Sequence, residues 1–331
     1  MAPIIETFPP SAIPAHLLTR LTSHLPFSIA VLRRLQVASL KKGGSTPTSH
    51  ILYVHSDGSS HAAADDSSPF AAAYVDLSRG PETECWIYSS LQDSVPLNPV
   101  PTSSEALPPA DLSRDERDAC VQQLLVLLRR IRGLEASYAS AHHGEEGLNK
   151  GHSRGYVRIG ALHETVRRLL VAAGVRVKAT GVVPVGQEWE FYATWLIRVE
   201  DLRVENEVEL PGGMGWDVLR EGDTGLVKSR TKIPKRDDTM LMVPSTVIRG
   251  EDGTAIAWGY LGVDGSVSTL HVEEPYRGRG LAKALTGRLL RERLRELGDD
   301  GWCSTDISTT NLQSQGVFKS IGGKPAWTVS W

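Results

Sequence analysis

The chain has 331 residues, 40% of them hydrophobic and 23% charged, and a formal net charge of −3. This describes an ordinary globular protein of two-domain size. It lacks the basic excess of a nucleic-acid binder, and no apolar run reaches the length of a membrane span.

The start, Met1-Ala2-Pro3-Ile4-Ile5-Glu6, lacks the basic-then-apolar order of a signal peptide. Cys85, Cys120 and Cys303 are scattered, odd in number and without metal spacing. They predict free thiols in a reducing, cytoplasmic compartment and no bound metal. Residues 15–36 carry a helical pattern interrupted by Pro26. Residues 51–55, 70–77 and 85–91 read as strands, the last two joined by a turn at Ser78-Arg79-Gly80-Pro81. Ser113 followed by Glu116 is a capping box, opening a helix to about Ser140 with Leu124, Leu125, Leu127, Leu128 and Ile131 on its apolar side. A further helix is expected over 160–173 and strands over 175–183 and 188–199; 56–68, 98–110 and 141–154 read as loops.

In the second half, strands over 242–248 and 255–261 flank a hairpin turn at Glu251-Asp252-Gly253-Thr254, and Asp264-Gly265 turns the chain into a strand over 266–272. A helix over 280–297 follows, with Leu281, Leu285, Leu289, Leu290, Leu294 and Leu297 at helical spacing and Gly298 as its stop. Its arginines read as a solvated face. Next come a strand near 302–307, a helix opened by Asn311, the pair Gly322-Gly323 and a last strand over 326–331.

Between strand and long helix lies Arg277-Gly278-Arg279-Gly280-Leu281-Ala282. Glycines there let backbone N–H groups converge, and the first helical turn adds unpaired donors and about half a positive charge of macrodipole. A pyrophosphate is the natural guest. The four-residue spacer and Lys-Ser/Thr of a P-loop are absent, and Lys283 stands where a dinucleotide fingerprint wants a third glycine.

The stretch resembles the R/Q-x-x-G-x-G/A signature of the GNAT superfamily of acyl-CoA-dependent N-acyltransferases, with Arg277, Gly280 and Ala282 at its fixed positions. Asn311, Ser314, Val317, Lys319 and Gly322 are similar to that family's second helix motif. Ala257-Trp258-Gly259-Tyr260, Tyr276-Arg277 and Trp331 resemble the glycine N-acyltransferase-like group. The resemblance covers roughly 210–331 and is faint before that. It implies an α/β (α+β) fold: a mixed, mostly antiparallel sheet flanked by helices. Strands followed by a long helix in the first half suggest a tandem arrangement, with a degenerate N-terminal copy over 1–204 and the acyltransferase domain over 205–331; an unrelated α/β domain is the alternative for the first.

By the same resemblance the co-substrate is acetyl-CoA or another acyl-CoA, held by Leu270, His271, Val272, Arg277, Gly278, Arg279, Gly280, Leu281, Ala282, Asn311 and Ser314, without a metal. The backbone around Leu270 and His271 would face the thioester carbonyl. Transfer would go directly to an amine, a small-molecule acceptor rather than a protein, in a ternary complex; the oligomeric state is left open. The chain departs from the family where a glutamate base is usual, at Ser266, and where a tyrosine acid is usual, at Phe318. Three substitutes are available. Asp264 is a candidate base or a turn aspartate, His271 a titratable group or a packed strand histidine, and Asp306 a relay through water or a helix cap. Asn311 is either a coenzyme ligand or an N-cap. Glu273 and Glu274 read as solvated charges. The basic run Ser229-Arg230-Thr231-Lys232-Ile233-Pro234-Lys235-Arg236 either guards an anionic group or is a solvated connector between helices. Ser266 and Phe318 also motivate a second reading, an acyl-CoA-binding regulatory module with weak or no catalysis, and beyond it an interaction scaffold.

Overall fold

The structure, a computed structural model, describes residues 2–56, 68–95, 97, 113–142, 155–177, 192–205 and 209–331. A first series of elements runs β1 (Pro3–Phe8), α1 (Ala15–Ser23), α2 (Ile29–Leu40), β2 (Ser49–Ser56), β3 (Phe70–Asp76), β4 (Cys85–Ser89), α3 (Arg114–Ala141), β5 (Ile159–Gly160), β6 (Leu162–His163), α4 (Glu164–Ala172) and β7 (Tyr192–Arg198). The second runs β8 (Gly215–Asp217), α5 (Thr224–Ser229), α6 (Asp237–Met242), β9 (Ser245–Arg249), β10 (Ala255–Leu261), β11 (Val267–Val272), α7 (Leu281–Arg293), β12 (Trp302–Ser308), α8 (Leu312–Ser320) and β13 (Lys324–Ser330). Only Ala161, at φ 49°, separates β5 from β6. Counted as one kinked strand, they make the two series identical: strand, two helices, three strands, helix, strand, helix, strand. The fold is a tandem repeat of one mixed α/β unit.

The sheet ladders run β1-β2-β3-β4-β5, β12-β7-β13-β6 and β11-β10-β9-β8. Apart from the parallel β4–β5 pair, the ladders are antiparallel. Each series gives its last strand to the other. β7 lies between β12 and β13, in register from Trp302 opposite Arg198 to Ser308 opposite Tyr192, and β13 pairs with β6 of the first series. A central strand covered on both faces should be apolar throughout. Accordingly Ala193, Trp195, Leu196 and Ile197 of β7 are all buried, and the polar exception among them, Thr194, is hydrogen-bonded to Asp306.

Helices cover both faces of the strands. On one face α7 sets Leu281 and Leu285 on Ile248 and Ala257, and Leu289 and Leu290, with Leu294 just after the helix, on Trp195, Ile197 and Cys303. On the other, Val227 of α5 and Met240 of α6 cover Trp258 and Tyr260. In the first series Leu124, Leu127 and Ile131 of α3 lie on Val54, Ala71 and Ala73, and α1 and α2 cover Tyr53, Ala72 and Tyr74. Arg33 of α2 joins the halves. Its fully buried guanidinium donates to Asp300 Oδ2 at 2.7 Å and the Trp302 carbonyl at 2.9 Å. Its stem lies against Gly265, where a Cβ would come 2.5 Å from Arg33 Cγ and φ is +73°.

The expected elements mostly stand, with corrections. The capping box is formed, Glu116 N–H donating to Ser113 Oγ at 3.3 Å and Ser113 N–H to Glu116 Oε2 at 3.0 Å. The helix broken at Pro26 is two helices, α1 and α2. The expected helix over 160–173 begins only at Glu164, because His163 caps it by accepting from Thr165 N–H, and the residues before it pair as β5 and β6. Residues 242–244 are not strand: α6 ends at Met242 and β9 starts at Ser245. β1, not anticipated, pairs with β2. Of the expected strand over 175–183, residues beyond 177 lie outside the described residues, as does most of the three expected loops; of 188–199 the described part forms β7.

A fragment starting at residue 205 lacks β7 and leaves facing edges of β12 and β13 bare. It is expected to show no cooperative thermal transition by circular dichroism, whereas the full chain melts cooperatively; a sharp transition in the fragment would contradict the exchange.

Candidate active site

The turn from β11 into α7 is shaped by two left-handed glycines, Gly278 at φ +76° and Gly280 at φ +77°, and a Cβ on either would meet open space. The backbone N–H of Arg277 donates to Glu274 and that of Ala284 to Gly280. For the N–H groups of 278 to 283 no protein acceptor stands opposite among the described residues. α7 has neither a side-chain cap nor an acidic residue in its first turn. This leaves the donors and the positive dipole end free for an anion. The turn opens onto a hollow of about 870 Å³ whose walls include Val204, Leu210, Pro211, Arg279, Gly280 and Lys283, within the size range of ligand sites. The arginines are less free than the glycines. Arg277 Nε donates to the Val272 carbonyl at 2.9 Å, and Arg279 Nη2 donates to the Pro275 carbonyl at 3.2 Å while its guanidinium lies over Tyr276. Arg291, expected on a solvated face, instead holds the Val204 and Glu205 carbonyls against α7.

The corresponding helix of the first half is closed. Ser113 accepts from the Glu116 N–H in a capping box, and Asp115 and Glu116 place two carboxylates in the first turn of α3. Among the described residues, the open glycine turn on an uncapped helix belongs to the second half.

β11 and β12 share no ladder among the described residues; Thr305 Oγ1 joins them at one end by donating to the Val267 carbonyl at 2.9 Å. Beyond that point they part. There β11 bulges: Trp258 opposes His271 and Tyr260 opposes Ser268, which leaves Thr269 and Leu270 facing Gly259 alone. Thr269 adopts φ 53°, a left-handed conformation costing a β-branched residue about 1–2 kcal/mol. Tyr260 supports it, its hydroxyl 2.8 Å from Thr269 Oγ1. Burial pushes the Tyr260 phenol up to about 12, so it stays protonated. A bulge takes its extra residue out of the ladder, so backbone donors are freed at Thr269 and Leu270, one position earlier than expected.

The candidate acid–base groups separate. Asp264 is the turn aspartate: its Oδ1 accepts from Ser266 N–H at 3.1 Å and Ser266 Oγ at 2.7 Å. His271 stacks on Trp258 with centroids 4.6 Å apart, and its Nε2, 3.8 Å from Glu273, has no hydrogen-bond partner. Burial lowers its pKa against the opposing pull of Glu273, favouring the neutral ring. Glu273 is not a free charge, because it accepts from Arg230 Nε at 2.9 Å. Asp306 is not a helix cap: Asn311 caps α8, accepting from Ser314 N–H at 3.1 Å. Asp306 accepts from Thr194 Oγ1 at 2.7 Å and borders a cavity of about 30 Å³, together with Asp264, Ser266 and Ser304. That is room for about one water. Burial raises its pKa to about 7, with Thr194 and Trp331 opposing and Asp264 reinforcing. Phe318 lies in the core among the α7 and β12 side chains. Sequence reasoning missed Tyr260, Thr269 and Thr194; the small residue between Trp258 and Tyr260 was the one available sign of the bulge. Among the described residues no group of three or more His, Cys, Asp or Glu could hold a metal, and no helix is long and apolar enough to cross a membrane.

Parted parallel strands, a bulge, and a glycine turn on an uncapped helix define the GNAT class of acyltransferase folds. The acyl-CoA N-acyltransferase verG N-terminal domain family matches residues 4–189, and FR47-like protein matches residues 247–331. The chain belongs to the acyl-CoA N-acyltransferases with that N-terminal domain. No curated protein matches it. Among solved structures it is similar to a Drosophila melanogaster protein, at 14% identity and TM-score 0.58 over 99% of this chain and 97% of that one, a likeness of fold. A tandem GNAT protein from the clavulanic acid biosynthesis pathway matches at 10% identity and TM-score 0.45, over 99% and 97%. A GCN5-related N-acetyltransferase from Sphaerobacter thermophilus matches at 13% and 0.46, over 99% and 94%.

Gly280→Glu puts a carboxylate and a strained φ at the cradle, at a cost of about 1–2 kcal/mol of stability. Acetyl-CoA at 100 times its dissociation constant should stabilise the parent by about 2.7 kcal/mol. The variant should fold yet show no acetyl-CoA-dependent rise in Tm; an undiminished rise would move the site elsewhere.

Proposed function

We propose that the protein moves an acyl group, acetyl in the simplest case, from acyl-CoA to a small-molecule amine by direct transfer in a ternary complex. One observation carries this reading: the unpaired N–H groups of 278 to 283 at an uncapped, acid-free helix start, open to a hollow of coenzyme size. The thioester supplies an activated carbonyl and a thiol leaving group with pKa near 8.5, which departs without much help. In this reading the cradle takes the coenzyme's diphosphate and the strand at Leu270, His271 and Val272 lines its arm, with Asn311 and Ser314 at the start of α8 close to that arm. Freed N–H groups at Thr269 and Leu270 face the developing oxyanion, a donor there being worth about 2.7–4 kcal/mol. Holding amine and carbonyl together contributes more, about 7–11 kcal/mol. Asp306, through one water in its cavity, receives the ammonium proton, while Asp264 and Ser266 hold the hairpin beside it. The protein acts in the cytoplasm, and residues 1–204 and 205–331 are its two copies in sequence, with last strands exchanged in space.

A base must be deprotonated to act, so kcat/KM should rise with pH through about 7, where Asp306 titrates. Asp306→Asn should lose that limb and fall by about 10²–10⁴-fold. The same group predicts a stability effect of opposite sense. Its folded pKa lies above the usual carboxylate value, so the stability it contributes is complete below about pH 4 and lost as pH rises through about 7. Asp306→Asn should flatten that part of the Tm–pH curve. A variant whose rate profile superimposes on the parent's would remove Asp306 from the chemistry. Acetyl-CoA binding without turnover on any amine would favour the second reading, a binding module, which the core position of Phe318 motivates.

A further inference from the structure

The first copy reaches into the second through Glu82, on the turn between β3 and β4. One carboxylate oxygen accepts from the Arg236 N–H at 3.0 Å and the other from Thr239 Oγ1 at 2.7 Å. Both donors belong to the α5–α6 segment, so Glu82 fixes the basic connector 230–236 over the sheet face that carries Tyr260. Two of its four cations are already neutralised: Arg230 pairs with Glu273 at 2.9 Å and Arg236 with Asp238 at 3.0 Å. Lys232 points into solvent.

Lys235 is different. It is half-buried, its Nζ lies 5.7 Å from the centre of the Tyr260 ring, and among the described residues no carboxylate oxygen comes within 4.0 Å of it. Asp264 and Glu82 are near enough to be felt, opposing the burial that lowers its pKa. Each, however, is committed to other donors, Asp264 to Ser266 and Glu82 to Arg236 and Thr239. A half-buried ammonium without an ion-pair partner is an unmet demand for an anion. The Tyr260 hydroxyl beneath it touches Thr269 of the bulge, where the proposed transfer takes place.

We propose that Lys235 selects amine acceptors that carry a carboxylate or like anionic group, and that Glu82 of the first copy is the positioning residue that holds it there. This rests on the acyl-transfer reading above. It gives the first copy, whose long helix starts with a capping box and two carboxylates, a part in the second copy's reaction: it builds the acceptor end of the site.

The test uses the full chain, acetyl-CoA and matched acceptors, amino acids against their own amides (tryptophan and tryptophanamide, phenylalanine and phenylalaninamide), with thiol release as the readout. The parent should prefer the carboxylate member of a pair. Lys235→Met should reduce that preference, the ratio of the two kcat/KM values, on the order of tenfold or more. Glu82→Gln should raise KM for the carboxylate acceptor with little change in kcat, a split that mere loss of folded protein would not give; Tm values recorded alongside identify any unfolded variant. An equal preference in the parent, or one that survives Lys235→Met, overturns the inference. So does acetyl-CoA binding with no turnover of either member, an outcome that leaves the coenzyme site standing. Absence of any acetyl-CoA-dependent Tm shift defeats the acyl-transfer reading itself.

Discussion

The structure depends on the way β12 is paired. Its ladder goes to β7, a strand from the other copy; toward β11 no ladder forms among the described residues, and the Thr305 hydroxyl joins the two at one end by donating to the Val267 carbonyl. Past that contact the two strands share no ladder among the described residues, and the bulge at Thr269 and Leu270 lies in this stretch of β11. Had β11 and β12 paired along their length, their facing N–H and carbonyl groups would satisfy each other. No backbone would then be free for a ligand arm. The strand exchange and the site are therefore one feature: the first copy's last strand anchors β12, and the gap beside it is what remains.

The two helix starts differ in what they offer an anion. In α3 the sequence Ser-Arg-Asp-Glu forms a capping box and places two carboxylates in the first turn. In α7 the two glycines leave the donors bare, and Arg279 and Lys283 line the hollow they open onto. Two carboxylates repel an anion at one; open amides and the dipole favour an anion at the other. The first copy keeps structural work, with buried Arg33 reaching Asp300 and Glu82 holding the basic connector.

What could be read from the sequence follows a simple physical division. The glycine turn was legible because glycine spacing, a strand before it and leucine periodicity after it are all local. The capping box and most strands were legible for the same reason. The strand exchange was not, since nothing in residues 192–198 says which neighbours they will find. β1 was missed because its burial alternates irregularly. Among the catalytic candidates, a turn aspartate and a base cannot be told apart from spacing; only the Ser266 bonds identify Asp264 as the former. Asp306 differs from it through cross-strand Thr194, more than a hundred residues away in sequence. The bulge was hidden as well, its one sign being Gly259.

The most direct measurement is a crystal structure of the protein soaked with acetyl-CoA. The diphosphate should lie on the N–H groups of 278 to 283, with the arm running between β11 and β12 toward Thr269. Density for the coenzyme at the start of α3, or anywhere that leaves those amides untouched, would contradict the account.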